Sequence, residues 1–506
     1  MTTPPLAFSE LKTQLAEIHD LNKISWVLNW DQHTMMAPGG AAVRAEQLAT
    51  VNKLAHEKFT TPEIGRRLEE LAGYEASLPY DSDEASLIRV TRRDYLKAVR
   101  VPTALRAEMA RAAGLARPAW VAARQQSNYE LFRPHLEHTL ELKHQLVECL
   151  AEAGQSAYDV LLDDYEPGMK TADVQTVFTD LKTEIVPLIA AIRERAAAVS
   201  DAPVHQPFPP AEQEAFCLKL LGHFGFSRQA WRLDPTVHPF ASNSATQDIR
   251  ITTRYYPDFI NPALFGSMHE FGHGLYEHQV SPALERTPLC RGASLGIHES
   301  QSRLWENLVG RSRPFWQFLY PQLQAAFPAQ LAGVDLEAFY RAINIVQPSF
   351  IRVEADEATY GLHIILRFEL EQALMAGEIP LRDLPAAWNT RFKAYFGVDV
   401  PDDAQGVLQD VHWSGGMLGY FPTYALGSII ASQLWEKIQA DLPDLPARLA
   451  RGDVTALRDW LRVHIHQHGR KFTPAELLQR VVGGPINVGP YVRYLRSKFS
   501  ALYGLS

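Results

Sequence analysis

Two histidines four residues apart with a glutamate beside the first, His269-Glu270-Phe271-Gly272-His273, form the pattern in this chain with the clearest chemistry. On a helix, positions i and i+4 share a face, so both imidazoles reach one ion while Glu270 sits about a quarter turn beside them. A zinc ion bound by two imidazoles and one further protein ligand keeps a position open for water, whose pKa falls towards about 7, and a neighbouring carboxylate then removes its proton. The chemistry predicted is metal-assisted hydrolysis with Glu270 as the base.

Asn261-Pro262 reads as a helix start, and the helix should run to about His278. Leu264, Met268, Phe271 and Leu275 then form one apolar stripe, with His269 and His273 on the opposite side. Gly272 and Gly274 each cost a helix about 1 kcal/mol relative to alanine, and room for close approach is the return expected from them. His278 and Glu277 fall too far along the axis to share the ion, which leaves His278 a solvated or hydrogen-bonding role.

The third ligand should come from the stretch GIHESQSRLWENLVG, 296–310, which offers His298, Glu299 and Glu306. As a helix it gathers Ile297, Leu304, Trp305 and Leu308 on one side and Glu299, Ser302, Arg303 and Glu306 on the other. The two glutamates stand about 10 Å apart along the axis, so one of them meets the ion, and spacing alone does not choose between them. The extended HExxHxxGxxH form is ruled out by Tyr276 and Gln279 at its glycine and third-histidine positions.

Other residues suit a peptide substrate. Arg352 in IRVEAD is the first choice for a guanidinium that grips a free carboxylate by paired hydrogen bonds, against the plainer reading of an i,i+4 pair with Asp356. The stretch QDVHWSGGMLGYFPTYALG brings His412, Tyr420 and Tyr424 into a flexible glycine-rich segment, as donors to a developing oxyanion. In QDIRITTRYY, Asp248, Arg250 and Thr252 alternate with Ile249, Ile251 and Thr253, a strand whose spare backbone groups would pair with an extended substrate.

These residues are carried by a mainly helical chain. Amphipathic helices are predicted from Phe8 to about Ile24, Val43 to Lys58, and over 84–99, 103–125, 129–154 and 172–199, with a Pro-Gly loop at WDQHTMMAPGGAA. The one clear strand precedes the histidine helix, so a small sheet should lie beside that helix. A Pro-rich linker near 200–211 divides a single catalytic domain into two helical lobes, and no fixed-period repeat indicates a solenoid.

The 506 residues are 46% hydrophobic and 21% charged, as in ordinary globular proteins, and a net charge of -9 offers no basic stripe for nucleic acid or anionic membrane. Three scattered cysteines fit neither a disulfide framework nor a cysteine zinc site, and no apolar run approaches the length of a membrane span. A soluble cytoplasmic protein is expected. The His/His/Glu donor set implies one divalent ion per chain, zinc first, with cobalt or manganese also accepted.

HEFGH followed by HESQS resembles the carboxypeptidase Taq family of metallocarboxypeptidases, and HPF (238–240), DIRIT (248–252), IRVEAD (351–356) and GVLQDVHW (406–413) resemble its further motifs, in order. The likeness reaches WDQHTMMAPGG near the amino terminus and so covers essentially the whole chain. It implies His269, His273 and Glu299 as ligands, against Glu306, and Glu270 as general base or acid. It supports Arg352 as the carboxylate clamp, and it adds His238 to a substrate-lining set with Asp248, Arg250 and Thr252. It further implies a mainly helical fold with a long deep groove, similar to neurolysin and angiotensin-converting enzyme, and a homodimer. The reaction implied is removal of single amino acids from peptide C-termini with broad specificity. An oligoendopeptidase or dipeptidyl carboxypeptidase with the same metal chemistry, and a non-catalytic peptide-binding helical scaffold, are the alternatives.

Overall fold

Apolar spacing ends the first helix near Ile24, yet in the computed structural model, which describes residues 4–505, that helix (α1, Leu6–Thr34) continues through Trp30. The polar run Asp31-Gln32-His33-Thr34 has no helical stripe of its own, so its helicity comes from tertiary packing. Trp30 is buried, with the guanidinium carbons of Arg232 and Arg250 at 4.4 and 4.5 Å from its ring centre. The expected loop shrinks to a turn and a 3-10 segment at Pro38–Gly40 before α2 (Ala41–Phe59). Further on, α3 (Thr103–Gln125), α4 (Arg133–Leu150) and α5 (Thr171–Glu194) lie where periodicity puts them, α4 and α5 ending a few residues early.

The chain forms two compact units. One takes residues up to Val99, then Asp201–Ile343 and Leu434–Gly484; the other takes Arg100–Ser200, Asn344–Gln433 and the chain from Pro485 on. The Pro-rich stretch from 200 begins at one of these crossings. Helices make up 67% of the residues, and the one sheet among the described residues has three strands, so the protein is mainly α.

In the first unit, α6 (Pro210–Phe224) leads to β1 (Trp231–Pro235), β2 (Ala241–Ala245) and β3 (Asp248–Thr253). The strand order is β1-β3-β2, with β3 parallel to β1 and antiparallel to β2. The strand read from sequence is therefore central, and both its edges are already paired. This corrects the expectation that β3 adds a substrate strand.

The histidine helix (α7, Asn261–His278) has the predicted length; Ile260 rather than Asn261 precedes it, and Pro262 stands in its first turn. Leu264, Met268, Phe271 and Leu275 are all buried. Phe271 stacks on Trp231 and meets the edge of Trp305, while Phe224 of α6 packs against both Phe271 and Trp305. The next helix is not uniform as expected: α8 (Leu295–Arg303), capped by Ser294, passes into a π-helical turn at Leu304–Val309. In the second unit, α9 (Tyr360–Met375) is buried along nearly its whole length and carries Arg367 and Glu371 inside.

Candidate metal centre and active site

Gly272 lets α7 and α8 touch backbone to backbone. A Cβ there would lie 2.5 Å from the Gln301 carbonyl oxygen and 2.6 Å from Ser302 Cα, and one at Gly274 would strike Trp231 and Ile249. Both glycines thus serve close approach, as their helix position suggests. The contact brings Glu299 of α8 over the histidine face of α7.

There, Glu299 Oε2 lies 3.7 Å from His269 Nε2 and 3.4 Å from His273 Nε2. All three residues offer ligand atoms within 4.8 Å of one another. Donors about 2.0–2.1 Å from a tetrahedral ion stand roughly 3.3–3.5 Å apart, so this set fits a divalent metal with little adjustment. Glu270 is buried beside it, and its Oε2 has no hydrogen-bond partner among the described residues.

The carboxylates are held by neighbours of their own. Arg303 Nε donates to Glu299 Oε1 at 2.7 Å, and Ser302 Oγ donates to Glu299 Oε2 at 3.2 Å. Glu306 does not join the ligand atoms; its Oε2 lies 2.8 Å from His269 Nδ1 and also accepts from Arg303. A carboxylate anion only accepts, so a neutral His269 carries its proton on Nδ1 and keeps Nε2 as a lone pair. His273 Nδ1 lies 2.6 Å from His298 Nδ1, and His298 Nε2 lies 2.9 Å from Glu277 Oε1. His278 Nδ1 hydrogen-bonds the Thr246 carbonyl oxygen instead.

Burial raises the Glu270 pKa to about 7, with the Glu299 and Glu306 charges adding to the effect and His269 opposing it. Burial lowers His273 to about 4, against the pull of Glu299, so it is neutral at pH 7 and able to ligate. Burial also works against charge on His269, but Glu299, Glu306 and Glu270 prevail and raise its pKa.

A second cluster lies in the other unit. Arg352, in a 3-10 turn rather than a helix, sends Nε and a terminal nitrogen to Asp410 Oδ1 at 3.1 and 2.8 Å, and its other nitrogen to Tyr360 Oη at 3.0 Å. Arg367 Nε donates to Asp410 Oδ2 at 2.7 Å. Asp356, the alternative partner, instead accepts from the backbone of Gln347, Ala358 and Thr359. Tyr424 Oη lies 3.4 Å from His412 Nε2, and the Tyr420 ring packs on both His412 and Tyr424. The structure thus brings Arg352, His412, Tyr420 and Tyr424 together. The glycine-rich segment is not loose: Glu371 accepts from Trp413 Nε1 at 2.8 Å and from the Gly419 backbone at 3.0 Å, and Tyr158 also donates to it.

On the sheet, Asp248 and Arg250 pair with each other, while Thr252 is fully buried and bonds both the N–H and the carbonyl of Phe240. His238 stands exposed on the connection between β1 and β2. The roles of Glu306, Glu277, Asp410, Arg367 and Glu371 escaped sequence reasoning. The available signals were adjacency to motif residues, His298 next to Glu299 and Asp410 two before His412.

A family model described as Carboxypeptidase Taq (M32) metallopeptidase matches residues 10–499 of this chain. The thermostable carboxypeptidase 1 of Thermus thermophilus is 41% identical over 510 residues, spanning 99% of this chain and 100% of that one. Carboxypeptidase 1 of Bacillus subtilis is 37% identical over 94% of this chain and 95% of its own. Among solved structures, an M32 carboxypeptidase from Deinococcus radiodurans superposes with a TM-score of 0.96 at 38% identity, covering 99% of this chain and 100% of that chain. A Pyrococcus furiosus carboxypeptidase described as Apo-Mg gives 0.95 at 34%, with the same coverage.

Proposed function

The chain belongs to the carboxypeptidase Taq (M32) family and is a metallocarboxypeptidase, and on that premise we propose that His269, His273 and Glu299 hold its divalent ion while Glu270 moves the proton. The observation that carries this reading is the convergence of two Nε2 atoms on one Glu299 oxygen beside a buried carboxylate, Glu270, whose Oε2 has no hydrogen-bond partner among the described residues. Two imidazoles with one carboxylate favour zinc, cobalt or manganese over magnesium, which prefers oxygen donors. Bound here, the ion supplies a Lewis acid that acidifies water and polarises the scissile carbonyl.

Glu270 accepts the proton of the attacking water and returns it to the departing amine, a task suited to a carboxylate poised near neutrality. Arg352 takes the free C-terminal carboxylate. Two guanidinium groups share the single Asp410 carboxylate, so the cluster retains one positive charge for an anion. His412, Tyr420 and Tyr424 supply neutral donors around the substrate. Asp248, Arg250 and His238 line it through side chains rather than backbone, whereas buried Thr252 secures the Phe240 backbone.

Release of single amino acids, rather than dipeptides or internal fragments, is the expected product pattern. The test is an N-blocked dipeptide assayed for free amino acid, beside a chelated sample and Glu270→Gln. Full activity in either control, or dipeptide products from longer peptides, refutes the proposal. No helix among the described residues is long and apolar enough to cross a membrane. Free thiols at Cys149, Cys217 and Cys290 support a reducing, cytoplasmic setting. A homodimer is proposed on the family likeness and on exposed Ile24 and Trp26 of α1, Met35 just after it, and Val43 and Leu54 of α2. A monomer mass in sedimentation equilibrium would overturn it.

A further inference from the structure

The two histidines of α7 are supported unequally on the side away from Glu299: His269 Nδ1 meets a carboxylate directly, whereas His273 Nδ1 reaches one only through a second imidazole. From this we infer that His298, Glu277 and Lys23 are positioning residues for the metal, a buried relay that fixes the ring and tautomer of His273 from as far away as the amino-terminal helix. The inference rests on His273 being a ligand.

The proton count along the relay closes. Glu277 accepts, so a neutral His298 carries its hydrogen on Nε2, which makes its Nδ1 an acceptor. That acceptor takes the Nδ1–H of His273, and His273 Nε2 is left as a lone pair facing Glu299. Glu277 Oε1 also accepts from the Gly292 backbone at 3.1 Å. Its Oε2 lies 3.5 Å from Asn243 Nδ2, and Lys23 Nζ donates to Asn243 Oδ1 at 2.9 Å. Lys23 is 6% exposed, so its ammonium faces the Glu277 anion across Asn243 in a protein interior where each needs the other's charge.

Packing is equally specific. The His298 ring lies between His273 and Tyr276, at 4.7 and 5.3 Å between centres. Gly292 leaves it room, since a Cβ there would stand 2.7 Å from His298 Cδ2. Partners of this kind behind a ligating histidine are worth about 10–100-fold in metal affinity.

The experiment measures zinc dissociation constants by chelator competition on metal-stripped protein, together with its unfolding midpoint and the ring-nitrogen NMR spectrum of 15N-histidine-labelled wild type. His298→Phe keeps the ring and its stacking but neither accepts nor donates, and should weaken zinc binding about 10–100-fold. His298→Gln, which still offers an oxygen to His273, should recover most of that loss, and Lys23→Met should weaken binding to a smaller extent. Wild-type spectra should show His273 protonated on Nδ1 and His298 on Nε2. Zinc affinity of His298→Phe within about threefold of wild type, or a wild-type His273 protonated on Nε2, overturns the relay. If His298→Phe does not fold, the wild-type spectrum and His298→Gln still decide. Undiminished zinc binding by His273→Ala would instead remove the ligand assignment on which the relay depends.

Discussion

Replacing Gly272 by alanine tests whether backbone contact between α7 and α8 sets the metal geometry. An added Cβ would meet Gln301 O, Ser302 Cα and Gln301 C at 2.5, 2.6 and 2.8 Å, all backbone atoms that no rotamer change can move. Ordinary contact between such atoms begins at about 3.4 Å, so the helices must part by roughly 3.4 - 2.5 = 0.9 Å. Metal-ligand distances tolerate about 0.2 Å, and Glu299 lies two residues before Gln301 on the displaced helix. Zinc affinity should therefore fall by about 100-fold or more, since a displaced carboxylate is in effect a lost ligand. Stability gives an independent sign. In an unobstructed helix the change gains about 1 kcal/mol, whereas overpacking costs about 1–3 kcal/mol, so the apo protein should gain nothing and lose up to about 2 kcal/mol. Urea unfolding of metal-stripped protein and chelator competition measure the two effects. A Gly272→Ala protein that is more stable than wild type and binds zinc normally would refute the reasoning.

Arg352→Ala should lower kcat/KM on an N-blocked dipeptide by about 10–100-fold, the worth of a charged hydrogen-bonded contact, and leave the C-terminally amidated analogue unaffected; equal losses on both substrates would exclude the carboxylate role. Glu371→Ala strands the donors of Trp413, Gly419 and Tyr158 at about 1 kcal/mol or more each, so a drop of about 3 kcal/mol in urea unfolding with a raised KM is expected. Burial, together with the nearby His298, depresses the pKa of His466 from 6.5 to about 3, so the native state resists the proton that the unfolded chain accepts. Its stabilising effect is complete above pH 6.5 and is lost as pH falls towards 3, about 2 kcal/mol of it by pH 5. Urea midpoints against pH should fall more steeply for wild type than for His466→Gln, and parallel curves would exclude His466 as the cause.

The sequence makes two of the three clustered donors legible because helical spacing is local: four residues separate His269 from His273, and one apolar stripe orients them both. The same locality explains Gly272, whose position on the helix announces a close contact without naming the partner. It fails for β3, where alternation reveals a strand but not how many neighbours it has. It fails again at Thr252, whose place on the polar side of that alternation conceals a hydroxyl turned to Phe240. Glu306 is half legible for a related reason: axial distance allows only one of Glu299 and Glu306 at an ion without choosing between them, and only the fold reveals that Glu306 meets the far nitrogen of His269. Trp30 and Glu371 are set by partners some 200 residues away, Arg232 and Arg250 for the first and Tyr158 for the second, and no periodicity encodes them.

The π-helical turn at Leu304–Val309 closes with the Gly310 amide on the Trp305 carbonyl, five residues back, so the segment holds one residue more than an α-helix of the same rise. That surplus residue lies between Glu299, which faces His269 and His273, and the aromatic and aliphatic side chains that follow, and it lets both sets keep their own directions. Chain length is consequently fixed here as firmly as residue type. A deletion of one residue, harmless in most surface loops, would rotate Glu306 and Trp305 by about a quarter turn relative to Glu299.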